Sequence, residues 1–214
     1  RQGMDPVGDY VLSRLKNENV HVDYVEKVEE APTGITVGFI VPSGDRTLFT
    51  YKGASGKNIL NTGEASSILE ETKCARLVFI SGYTVYNEDH GKSIVTIATE
   101  ATRRRVPVAI DLGGFKQEHN GILAELKGKT DYVFLNEEEL LEATGTKTID
   151  EGLQALQEAL APHAIFLKRG EKGCIVKRRD TATAIPAYRV QAVSYTHLRA
   201  HETGRNLVCR LLLE

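Results

Sequence analysis

Two short stretches carry residue types whose spacing suits chemistry. The first is Asn136-Glu137-Glu138-Glu139, directly after the apolar run Tyr132–Leu135. If a helix starts there, Asn136 and Glu139 point the same way, because residues three apart share a helix face. Asn136 can then accept a backbone N–H while Glu139 reaches back, which is a capping arrangement. The same pair can organise phosphate and Mg2+. A helix N-terminus attracts anions, and Mg2+ is held by one or two carboxylates through water while it bridges phosphates. One residue can serve both roles. The second stretch is Lys168-Arg169-Gly170-Glu171-Lys172-Gly173, at the end of the apolar run Ala164–Lys168. Its glycines suit a tight turn between strands, or the close approach of a ligand to the backbone. It is no dinucleotide fingerprint, since a third glycine is absent and a strand follows, and it is not a Walker A loop.

Two more strand ends hold candidates. Asp111 opens "DLGGF" and either faces a ligand or caps the next turn. Gly82 and Tyr83 follow "RLVFI", where a turn or a small molecule would each suit the glycine. His21, His90, His119 and His163 have no metal-ligand spacing. His197 and His201 are four apart beside Glu202, but the order is not that of a zinc-protease helix.

These residues sit in a repeating frame. Apolar runs 76–80, 107–111, 132–135 and 164–168 recur every 25 to 33 residues or so, with helical spacing near 91–104, 118–127 and 136–160, the last broken around "TGTKT". Alternating strands and helices mean βαβ units, a parallel sheet and right-handed crossovers. Such sheets gather their sites at the C-terminal strand ends, where all four candidates fall. "GCIVKR" and "AYRVQAV" read as two further strands. Earlier, Asp5-Pro6 starts a helix with an apolar stripe through Tyr10, Val11, Leu12 and Leu15. "GITVGFIV" and "RTLFTY" flank "PSGD" as a hairpin.

The totals exclude several classes. The chain has 214 residues, 41% of them apolar, which suffices for one packed domain. A net charge of −2 gives no pull toward nucleic acid or an anionic membrane, so neither partner is expected. Arg103, Arg104 and Arg105 close a predicted helix, where the dipole favours cations. Cys74, Cys174 and Cys209 form neither metal motif nor even-numbered disulfide set, which points to a reducing, cytoplasmic setting.

Together the pieces resemble the ribokinase-like (PfkB) family of carbohydrate kinases over residues 3 to 193. "GMDPVGDYVLSRLKNENV" is similar to the family's Gly-x-Asp-x-x-Gly segment and its helix. "APTGITVGFIVPSGDRTLFTYKGA" resembles the lid hairpin over the acceptor, "YVFLNEEELLEATG" the Asn-x-x-Glu segment, and "IFLKRGEKGCIV" the nucleotide-binding strand-turn-strand. The resemblance implies a three-layer αβα core with a mainly parallel sheet and a small β lid. It divides the chain into 1–30 (start of the core), 31–55 (lid), 56–193 (nucleotide-binding core) and 194–214 (tail). It implies ATP and Mg2+ as cofactors and phosphotransfer to a hydroxyl of a sugar or related small molecule. Asn136, Lys168, Gly170, Glu171 and Gly173 would line the nucleotide and Glu139 the metal. Thr50, Tyr51, Gly82 and Asp111 would lie near the acceptor, and lids would pair in a homodimer. Asp111-Leu112-Gly113 departs from the family's Asp-x-Asn, which weakens assignment to its keto-deoxy-sugar-acid branch. A vitamin kinase of the same superfamily, acting on pyridoxal or a hydroxymethylpyrimidine, usually lacks the hairpin. A non-catalytic ligand-binding α/β domain is the further alternative. A Rossmann-like oxidoreductase fits less well without Gly-x-Gly-x-x-Gly.

The family's catalytic base would lie in an Asp-Thr-x-Gly-Ala-Gly-Asp segment after Val193, and its Gly-Gly-x-x-x-Asn sugar segment before Arg1. Ser194–Glu214 contains no aspartate and no glycine-rich turn. It resembles translated adapter read-through and is set aside as a scar. The chain as written is therefore expected to show no sugar- and Mg2+-dependent ATP hydrolysis or transfer in a coupled assay. Measurable turnover would contradict this. Poor stability is expected too, because uncovered apolar sheet faces favour association.

Overall fold

The structure, a computed structural model, describes residues 1–41, 46–72 and 74–188. The "PSGD" turn, most of the "AYRVQAV" run and the tail from Ser194 lie outside the described residues. The chain opens with β1 (Gln2–Gly3) and α1 (Pro6–Asn17). Asp5 starts α1 as read from the sequence, its carboxylate accepting from Gly8 N at 2.8 Å with Pro6 in the first turn. β2 (Lys27–Val28) pairs parallel with β1, a short contact without a sequence signal. Then β3 (Ile35–Ile40) and β4 (Arg46–Tyr51) form the expected antiparallel hairpin as a sheet of their own.

α2 (Thr62–Glu71) was not expected. Its start is nevertheless written in Asn61-Thr-Gly-Glu64, the same Asn-x-x-Glu capping box as at residue 136. The alternating unit follows: β5 (Val78–Ser81), α3 (Lys92–Arg103), β6 (Val108–Asp111), α4 (Asn120–Glu125), β7 (Tyr132–Asn136), α5 (Glu137–Thr144), α6 (Ile149–Leu160) and β8 (Ala164–Lys168). β5, β6, β7 and β8 lie side by side in that order, all parallel. β9 (Cys174–Arg178) and β10 (Thr181–Ile185) extend the sheet antiparallel. β10 precedes the "AYRVQAV" run and carries no strand expectation from the sequence. Arg178 pairs with Thr181, so Arg179 and Asp180 make a two-residue turn, and the Thr-Ala alternation after it is too weakly apolar to announce a strand.

Consecutive parallel strands with right-handed crossovers place their helices on one face. Ile80, Val108, Ile110, Val133, Leu135, Ile165 and Leu167 point to that face and join Ile94, Leu126, Leu140, Leu156 and Leu160 of the helical layer in one buried core. The other face has a smaller cluster, Ala164, Phe166, Cys174 and Val176, with Phe134 stacked on Phe166 at 4.8 Å.

The arginines at the end of α3 do more than answer the helix dipole. Arg103 and Arg104 both bond the Glu100 carboxylate, whose side chain is 7% exposed. Arg104 also reaches Ser66 O and Oγ in α2, tying the two helices together. These hydrogen bonds hold the Glu100 carboxyl down at about 2. A lowered folded-state pKa stabilises above the ordinary value of 4.5 and is lost as pH falls toward 2. Glu100→Gln should flatten the acid side of a melting-temperature profile across that window. An unchanged profile would mean the pair contributes nothing.

Candidate active site at the strand ends

The parallel register brings three separate segments to one edge. Ser81 pairs with Asp111, Asp111 with Phe134, and Asn136 with Lys168. Side chains alternate along a strand, so Asp111, Asn136 and Lys168 continue the rows of Ala109, Phe134 and Phe166 on one face.

Asn136 and Glu139 form the full capping box. Asn136 Oδ1 accepts from Glu139 N at 2.8 Å, and Glu139 Oε2 accepts from Asn136 N at 2.7 Å. The structural role foreseen for this pair is therefore real. It leaves Glu139 Oε1 turned toward the Asp111-Leu112-Gly113 loop: a Cβ at Gly113 would lie 3.3 Å from Glu139 Oε1 and 3.0 Å from Asp111 Oδ1. Burial pushes the Glu139 carboxyl above its ordinary value. The Asn136 N–H and the Lys168 charge oppose that rise, and the Asp111 charge adds to it.

Asp111 closes the turn after its strand, one of the two parts expected of it, and also pairs with a lysine. Oδ1 accepts from Gly113 N at 2.8 Å, closing the turn, while Oδ2 meets Lys168 Nζ at 3.1 Å. That ion pair is about one-quarter to one-third exposed, 25% and 30% for the two side chains. Solvent still reaches both partners, so an incoming anion or cation can compete for either one. Next to it, Arg169 Nε donates to Glu137 Oε1 at 2.6 Å, pinning the β8 end to the first turn of α5. No local pattern announces this second pair.

The other expected residues divide. Gly170 and Gly173 take φ of +57° and +86° in the turn after β8. Gly173 is required by packing, since a Cβ there would lie 2.0 Å from Ile185 O. Glu171 is exposed and shares no hydrogen bond or ion pair with the cluster among the described residues. Gly82 is explained by backbone contact: its Cβ would lie 2.3 Å from Asp111 O. Thr50 bonds Thr36 across the hairpin at 3.1 Å and Tyr51 is exposed. Neither touches the strand-end cluster among the described residues. The next residue does make the connection, since Lys52 Nζ donates to Tyr83 O at 3.1 Å. Among the described residues, no group of three or more His, Cys, Asp or Glu side chains could hold a metal ion, and no helix is long and apolar enough to cross a membrane.

Residues 2–196 match the model of the pfkB family carbohydrate kinases. The chain belongs to that family. It is 28% identical over 180 residues to a ribokinase from Arabidopsis thaliana, covering 81% of this chain and 45% of that protein. It is 25% identical over 205 residues to a deoxyribokinase from Salmonella typhi, covering 89% and 60%. A solved Arabidopsis thaliana ribokinase, complexed with ribose and ATP, superposes with a TM-score of 0.73 at 24% identity, over 98% of this chain and 67% of that one. The fold is therefore ribokinase-like, a mainly parallel α/β sheet with a small antiparallel hairpin. The chain spans about half to three-fifths of the length of the curated relatives it matches. The pfkB match takes in the hairpin, the strand-end cluster and the β8–β9 turn alike.

Glu139 separates stability from function. Its raised pKa means the folded state disfavours the charged form, so the cost to stability grows as pH rises through its titration. Glutamine can keep the capping box and carries no charge. Glu139→Gln should leave the melting temperature at pH 7 unchanged or higher. If Glu139 holds Mg2+ in the whole protein, the same variant should weaken Mg2+ binding about 10–100-fold. A large drop in melting temperature would show the charge to be structural instead.

Proposed function

We propose that the whole protein transfers the γ-phosphoryl group of ATP to a hydroxyl of a sugar or related small molecule. The observation that carries this is Glu139 Oε1 beside Asp111 and Lys168, at the start of a helix and the C-terminal edge of a parallel sheet. The family membership supports it. In such a transfer the acceptor oxygen bonds to phosphorus as the bond to the ADP oxygen breaks, and the hydroxyl proton goes to a base. The base implied by the family resemblance falls after Val193, outside the described residues, and none of the side chains above is given that part.

The donor set fits the cofactors. Glu139 offers a hard, partly desolvated carboxylate oxygen, and Asp111 a second carboxylate close by, which suits Mg2+ held largely through water. When bound, Mg2+ would neutralise charge on the phosphates. Lys168 holds phosphate by giving up a weak contact with Asp111. Asn136 fixes the helix start whose N–H groups face the anion. The turn of Gly170, Glu171 and Gly173 borders the nucleotide, while Thr50, Tyr51 and Gly82 stand on the acceptor side. The hairpin favours a sugar or nucleoside acceptor over a vitamin. Its one face, Ile35, Val37, Phe39, Phe49 and Tyr51, is apolar and 47–62% exposed, which suits pairing with a second copy.

The test is steady-state kinetics on the whole protein with ATP, Mg2+ and a panel of ribose, deoxyribose, fructose, nucleosides, sugar phosphates and sugar acids. At least one acceptor should turn over. Lys168→Met should raise the KM for ATP about tenfold or more, as expected for loss of a charge-assisted bond to phosphate, with a smaller change in the acceptor KM. No turnover with any acceptor, or a variant whose ATP KM is unchanged, would contradict the assignment.

A further inference from the structure

Lys52 is a cation that the strand-end cluster does not use. It directly follows β4 at the foot of the hairpin and is half-buried. Its ammonium donates to Tyr83 O at 3.1 Å and to Asn87 Oδ1 at 3.4 Å, and stands 5.1 Å from the centre of the Tyr86 ring. All three partners are neutral. Asn87 is held in place by its own bond to Asn58 O at 3.0 Å, so it cannot turn away. Lys27, Arg104, Lys168 and Arg169 each meet a carboxylate. Lys52 meets none within ion-pair distance among the described residues. An ammonium has three N–H donors. Two of them meet the neutral acceptors named above, and burial disfavours the charge and lowers the pKa.

The position gives this cation a purpose. Tyr83 and Tyr86, which hold Lys52, also wall the glycine loop after Asp111. A Cβ at Gly113 would lie 3.1 Å from the Tyr83 ring, and one at Gly114 would lie 2.9 Å from the Tyr86 ring. The same loop carries Asp111 and approaches Glu139. Lys52 therefore stands where the hairpin meets the strand-end site, with Thr50 and Tyr51 just before it. A partly dehydrated ammonium with only neutral partners is complementary to an anion.

We propose that Lys52 makes the acceptor site selective for small molecules that carry an anionic group, a carboxylate or a phosphate, in addition to the hydroxyl that receives the phosphoryl group. This rests on the kinase reading above. The probes are sets related through the anion they carry: ribose with ribonate and ribose 5-phosphate, then fructose with fructose 6-phosphate. Binding of each to the whole protein is measured by calorimetry without ATP. At least one anionic probe should bind more tightly than its neutral counterpart, and the carboxylate and phosphate arms tell which anion the site takes. Lys52→Met should weaken that probe by about 10–100-fold, the size expected for a charged hydrogen bond, and the neutral counterpart by much less. Lys52→Arg should retain part of the preference, and it carries the comparison if the methionine variant melts early.

Equal weakening of neutral and anionic probes would make Lys52 a mere latch between hairpin and loop, and would overturn the proposal. So would tighter binding of the neutral sugars, or no binding of either anion. ATP turnover by the same protein is scored separately. Turnover on neutral sugars with no anion preference sinks the role of Lys52 and leaves the kinase. Lys52-dependent anion binding without turnover does the reverse.

Discussion

The candidate site depends on the parallel register of β6, β7 and β8. Asp111, Asn136 and Lys168 are far apart in sequence and meet only because three neighbouring strands end on one edge, β6 two residues before β7 and β8. Side chains alternate along a strand, so a slip of one residue in β7 would turn Asn136 to the other face and misplace Glu139 with it. What prevents the slip is the core. Val133 and Leu135 are fully buried against the helical layer, and exchanging that face for Tyr132 and Phe134 would strand two large side chains in a space shaped for others. The apolar packing of one face thus fixes the chemistry at the end of the strands.

At that edge the forces are arranged for exchange rather than for strength. The capping box is the firm part, two charge-assisted or backbone bonds under 3 Å that hold Glu139 whether or not a ligand is present. The Asp111–Lys168 pair is the softer part, a single contact of 3.1 Å that solvent still reaches. Burial of Glu139 works against stability at neutral pH, and the nearby Lys168 charge only partly offsets it. A carboxylate kept partly dehydrated beside an easily diverted ammonium is in a poor position for a purely structural role. It is well placed to meet a cation and a phosphate together.

Much of this was legible in the sequence. The four parallel strands announced themselves through short apolar runs at regular spacing, and "TGTKT" marked the break between α5 and α6. Asn136-Glu139 could be placed because a capping box has a sequence signature. The identical signature at Asn61-Glu64 went unread because no strong apolar run precedes it, and so α2 was missed. β10 was missed because threonine and alanine make a strand that only its partner β9 reveals. The ion pairs Asp111–Lys168 and Arg169–Glu137 are long-range contacts without local pattern, so only the fold exposes them. Lys52 likewise has no local pattern to mark it, whereas Thr50 and Tyr51 lie in the hairpin that carries the resemblance.

The most direct test is a crystal structure of the whole protein with Mg2+ and a non-hydrolysable ATP analogue. The account predicts the triphosphate at the start of α5, with Lys168 drawn from Asp111 to a phosphate oxygen and Glu139 facing the metal through water. A nucleotide bound away from these strand ends, with the Asp111–Lys168 pair intact, would contradict it.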